Sequence, residues 1–159
     1  MKKIFLIAVL SMVLANCSSD NNESFSSQSI EFSTIARFVI SNTPFLDNSE
    51  SQNIIISDSA TWEGFLVDLE YHLGYSIDSI DMDSSVDFET YQVISIFDQM
   101  RPTGGYSISV ISITENQNNI VVNFETSYDD GITFQMPIQP YHIIKIPKSD
   151  KEIVFVTKE

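Results

Sequence analysis

Apolar positions recur along this chain with two different periods. Over Ile30 to Ile40 and Gln52 to Ser57, β-branched residues crowd into short runs, with Ile54, Ile55 and Ile56 in the second. Asn42-Thr43-Pro44 and Asp47-Asn48-Ser49 lie between them as turn signals, so two strands are predicted. The period then lengthens. Trp62, Phe65, Leu66, Leu69 and Leu73 fall on one stripe of a helix over Ala60 to Leu73, with Asp58 or Ser59 to cap its start and Gly74 to end it. Five further strand-like runs follow: Tyr91 to Asp98, Tyr106 to Thr114, Asn119 to Ser127, Tyr141 to Ile146 and Glu152 to Thr157. In the first of these, Tyr91, Val93 and Phe97 share one face and Ile94 and Ile96 the other, which predicts a central strand covered on both sides. In the second, Tyr106, Ile108 and Val110 share a face before Ile111 and Ile113 take over, the mark of a bulge or of a strand crossing between layers. Glu115 to Asn118 separates the second and third runs by a distance that suits an antiparallel hairpin. One helix among so many strands predicts an α+β fold, a mainly antiparallel β-sheet or sandwich with one packed helix.

The N-terminus follows a different logic. Lys2 and Lys3 precede an apolar run from Ile4 to Leu10, continued by Met12, Val13 and Leu14, which has the layout of a secretory signal and is short for a membrane span. It ends in Leu14-Ala15-Asn16-Cys17, which resembles a bacterial lipobox. Residues 1–16 are therefore expected to be a lipoprotein signal peptide, and Cys17 the site of lipidation through which the chain is anchored to a membrane, in the bacterial cell envelope and at the outer membrane. Residues 17–29 are too polar to offset their ordering entropy and are expected to form a flexible tether. Residues 30–159 are expected to form a single domain. Removing the 16 residues before Cys17 leaves 143 of the 159 and, with the two lysines gone, takes the formal charge from −14 to −16. Such a body is repelled by anionic headgroups, so the anchor alone would hold it at a membrane.

Charge and composition exclude several classes of chemistry. Eight Lys and Arg against 22 Asp and Glu argue against nucleic acid as a partner, because that affinity depends on neutralising phosphates. A single cysteine excludes a thiolate zinc site, a CxxC redox pair and an internal disulfide. No nucleophile elbow, zinc-protease helix, P-loop or dinucleotide fingerprint is present, and no catalytic residue is assigned. His72 stands at the predicted helix end, where it would favour the terminal carbonyls, and His142 alternates with Ile144 and Ile146 as a hydrogen-bonded histidine at the core's edge. Asp81, Asp83 and Asp87 offer oxygens suited to calcium, but a loop begun at Asp81 has Val86 where the EF-hand needs glycine. The stretch is read as a solvated acidic loop, with no metal or other cofactor expected.

Arg101-Pro102-Thr103-Gly104-Gly105-Tyr106 is the most pronounced local signal. Proline presets one corner of a turn, the glycines supply conformations other residues avoid, and the tyrosine opens the next strand. Together with Asp87-Phe88 before it and Pro140-Tyr141-His142-Ile143-Ile144-Lys145-Ile146-Pro147 after it, this segment resembles the C-terminal domain of the PrcB family, over Asp87 to the C-terminus. The resemblance implies a non-catalytic accessory lipoprotein that associates with a surface serine protease. The candidate partner-binding loop is then Arg101, Pro102, Thr103, Gly104, Gly105 and Tyr106, with Tyr141 and His142 as a secondary contact. The turn is also similar to the Asn-Pro-Thr-Thr-Gly-aromatic loop of chagasin-type protease inhibitors, with Arg101 in place of the asparagine and Gly104 in place of the second threonine. That likeness leaves inhibition as an alternative. A hydrolase with a dispersed active site is the other class of function, since Ser, His and Asp triads are recognised by geometry.

Overall fold

The computed structural model describes residues 25–41, 45, 51–77, 82–131 and 135–158. Residues 1–16, expected to be a signal peptide, Cys17 and the expected tether as far as residue 24, the two turn signals before Gln52, and Asp81 lie outside the described residues. The chain forms β1 (Gln28–Ser29), β2 (Ser33–Ser41), β3 (Gln52–Ile56), α1 (Ser59–Leu73), β4 (Tyr91–Phe97), β5 (Tyr106–Glu115), β6 (Asn119–Tyr128), β7 (Ile138–Pro147) and β8 (Glu152–Lys158). The strands divide into a central sheet of order β2-β7-β4-β3 and an outer sheet of order β1-β5-β6-β8. This is the α+β arrangement predicted, as three layers: helix, central sheet, outer sheet. No helix among the described residues is long and apolar enough to cross a membrane.

The alternation within β4 and β7 dictates the layering. Val93 and Phe97 of β4, with Tyr141 and Ile143 of β7, face the helix and join Trp62, Phe65 and Leu69 in one core. Ile94, Ile96, Ile144 and Ile146 point the other way and pack on Ile108, Ile113, Ile120 and Val122 of the outer sheet. Both strands are thus buried on both faces, as the sequence of β4 foretold. Each such side chain contributes about 1.5–3 kcal/mol by leaving water. Aromatic rings dominate the helix side. Phe45 stacks on Phe97 at 4.7 Å and meets Phe65 edge-on at 5.3 Å, while the Trp62 indole donates to the Ser84 carbonyl at 2.8 Å. Helix α1 starts at Asp58, whose carboxylate accepts from the Thr61 N–H at 2.9 Å, and stops at Gly74 in the left-handed region with φ 75°.

Four details differ from expectation. Gln28 and Ser29, read as tether, form β1 against Thr114 and Glu115; polar residues can complete a ladder because pairing uses the backbone. The phase slip in β5 is the bulge expected there, between Val110 and Ser112, but it leaves Ile111 unpaired and exposed, so Ile111 does not share the buried face of Ile113. Strand β7 starts at Ile138, three residues before the predicted run. Pro140 has no N–H to give, but its carbonyl accepts from the Asp98 N–H at 2.9 Å and the strand continues through it. Finally, β8 pairs with β6 in parallel, because the chain leaves β7 in the central sheet and enters the outer sheet at its far edge.

Candidate functional site

The Arg101 to Tyr106 loop passes the chain from the central sheet to the outer one, and its first residue is pinned twice. The Arg101 backbone bridges Ile138, donating at 2.7 Å and accepting at 2.9 Å. Its guanidinium donates to both carboxylate oxygens of Asp98, at 2.7 and 3.0 Å, and lies 4.9 Å from the centre of the Tyr106 ring. Asp98 is 2% exposed and also accepts from the Gln99 N–H at 2.8 Å, so the buried charge is fully engaged. Pro102 is exposed, Thr103 is half-buried and Gly104 is buried. Gly105 has φ 93°, which permits its carbonyl to accept from the Asp129 N–H at 2.9 Å and ties the loop to the end of β6.

Beyond the loop, Tyr106 stands directly opposite Tyr128 in the β5–β6 ladder, with ring centres 4.6 Å apart. Tyr128 is 52% exposed and Phe38, on β2, is 59% exposed. These rings border a groove of about 480 Å³ whose walls include Gly105, Asp129 and Ile138. Aromatic residues are enriched at protein–protein interfaces relative to the rest of a protein's surface. A larger groove of about 690 Å³ runs beside Ala36, Met82 and Tyr141 and shares Phe38 with the first.

Tyr141 and His142 occupy a different place from the one expected of a contact surface. Both are buried, because β7 is an inner strand of the central sheet. Among the described residues the Tyr141 hydroxyl has no hydrogen-bond partner, and burial raises its pKa, which keeps the phenol protonated. The Nδ1 of His142 accepts from the Val110 N–H at 2.9 Å, beside the β5 bulge, and its Nε2 lies 2.9 Å from the Thr34 hydroxyl. The ring is therefore neutral and bridges the two sheets. Burial, with the Arg37 charge nearby, pushes its pKa down to about 4. Neither partner is a carboxylate. His72 lies at the helix end as predicted, with its ring 5.3 Å from Phe45. Asp83 and Asp87 accept from the N–H groups of Ser85 and Glu89, and no cluster of potential metal ligands occurs among the described residues.

Phe38 and Tyr128 were missed by the sequence reading, although one signal was available for the second. Counting back from the β5–β6 turn and allowing one residue for the bulge sets Tyr128 against Tyr106. For Phe38 no such signal exists, because its exposure depends on β2 lying at the sheet's edge.

Residues 92–147 match the family model described as PrcB C-terminal. This segment is similar to the PrcB C-terminal domain. It begins at the second residue of β4 and ends with β7, so the PrcB match covers β4 and β7 of the central sheet and β5 and β6 of the outer one, with the Arg101 to Tyr106 loop inside it. No curated protein and no solved structure gives a match to the chain.

Proposed function

We propose that this chain is a non-catalytic accessory protein, lipid-anchored through Cys17 in the bacterial cell envelope, that binds a protein partner. What the PrcB resemblance implies makes a surface protease the expected partner. The observation that carries the reading is the aromatic end of the sandwich, where Tyr106, Tyr128 and Phe38 surround a loop braced by the Arg101–Asp98 pair. A loop braced in this way loses little entropy on docking, and tyrosines supply large contact area.

The test is affinity capture from envelope extracts with the wild-type chain and with Tyr106→Ala combined with Tyr128→Ala. The wild type should retain a protease, and the double variant should lose it by about tenfold or more, the effect of removing an interface hot spot. Retention unchanged by the double variant, or no specific partner at all, overturns the reading. Inhibition of the partner is the second reading, favoured by the likeness of Pro102 to Tyr106 to the chagasin-type turn. Flat activity curves of papain-like and trypsin-like enzymes titrated with the chain would end it.

A further inference from the structure

β3 ends the central sheet and β8 ends the outer sheet on the same side of the sandwich, where Ile55 and Ile153 line one groove. Among the described strands β8 pairs only with β6, so its other edge presents unpaired backbone groups over Glu152–Lys158. Edge strands are commonly blunted by a proline, a bulge or an inward charge. Between its charged ends β8 reads Ile-Val-Phe-Val-Thr and has none of these. Among the described residues the core beneath is only partly covered. Ile55 pairs with Ile94 and so shares the face that looks between the sheets, yet it is 45% exposed. Ile153 and Phe155 pack on the same core from β8 and are only partly buried, and Val156 on the opposite face is 40% exposed.

The sequence of β8 indicates what would cover this edge. Set antiparallel against a second copy and centred on Phe155, Glu152 opposes Lys158, Ile153 opposes Thr157 and Val154 opposes Val156. Two-residue periodicity allows only registers that keep inward residues opposite inward residues. The neighbouring registers of that parity set a charged end against a valine, so the register centred on Phe155 is the one that satisfies both charge and burial.

We propose that β8 is the interface of a symmetric homodimer, in which two outer sheets join edge to edge into one continuous eight-stranded sheet. Val154 and Val156 cover each other on its outer face. Phe155 meets its copy near the two-fold axis on the inner face, beside the exposed Ile55 of each protomer. The contact is isologous and closes on itself, which gives a dimer and not a filament.

Sedimentation velocity on the full chain in non-ionic detergent at low salt, over a wide range of concentration, tests this. The wild type should pass from monomer to dimer as concentration rises. Glu152→Lys sets lysine against Lys158 at both ends of the interface and should weaken the dimer about tenfold, from two lost ion pairs and two new repulsions. Lys158→Glu should do the same, and the double exchange should restore the dimer, a rescue that damage to the monomer fold would not produce. A monomer at every concentration, a dimer indifferent to both single variants, a double exchange that fails to restore it, or a ladder of larger oligomers would each overturn the proposal.

Discussion

His142 ties the stability of this fold to pH through a single buried ring. Its imidazole has an ordinary pKa of 6.5 in the unfolded chain and is pushed down to about 4 in the fold, first by burial and then by the Arg37 charge. Folding therefore favours the neutral ring, and between these values the unfolded chain binds the extra proton. The stability tied to His142 is fully present above pH 6.5, declines as pH falls, and is lost completely below about 4. The whole loss is about 3 kcal/mol, of which about 2 kcal/mol is reached by pH 5. Urea unfolding followed by the fluorescence of Trp62, the single tryptophan and a buried one, measures it. The comparison is with His142→Leu, which orphans the Val110 N–H at a cost of about 1–3 kcal/mol that does not depend on pH. The stability gap between the two chains should shrink by about 2 kcal/mol from pH 7 to pH 5. Relief of repulsion among the surplus carboxylates affects both chains equally and cancels. Asp58 and Asp87, lowered below 3.8 by hydrogen bonds from Thr61 and Thr90, lose their contributions only below this window. A gap that stays constant from pH 7 to pH 5 would refute the argument.

Two further perturbations address the braced loop. Asp98→Ala leaves the Arg101 guanidinium and the Gln99 N–H without their acceptor and should cost about 2–3 kcal/mol in urea unfolding, with faster amide exchange at Arg101 and Ile138. Gly105→Ala forces a side chain into a backbone with φ 93° and should cost about 1–2 kcal/mol; an unchanged melting curve would mean that the turn relaxes freely.

Much of the layering was legible because β4 writes it in alternation. Val93 and Phe97 against Ile94 and Ile96 predicts two covered faces, and both are found. The helix was equally legible, since five apolar positions, a capping aspartate and a terminal glycine all agree. The division of strands between sheets was not. It depends on pairings such as Arg37 with His142, which no local pattern records. The site divides in the same way. The turn from Arg101 to Tyr106 carries its own chemistry in proline and glycine, whereas Tyr141 and His142 belong to the second motif of the resemblance and were expected as a secondary contact on that ground alone. They are buried because β7 is flanked on both sides, by β2 and by β4, a fact of topology and not of composition. The exposure of Phe38 is equally a matter of topology, because β2 lies at the edge of the same sheet.

The central sheet also constrains when the chain can fold. Its edge strand β2 takes β7 as its partner, so Ser33 must wait for Lys145, and the Gln28–Ser29 ladder must wait for Thr114 and Glu115. Contacts so distant in sequence incur their loop-closure entropy before any burial offsets it, which places such domains among the slow folders, in milliseconds to seconds. A growing chain that has released only its first hundred residues holds β2, β3, α1 and β4 but lacks β7, the strand that joins β2 to β4. The central sheet cannot be completed at that length, because β7, the strand that pairs with both β2 and β4, has yet to arrive.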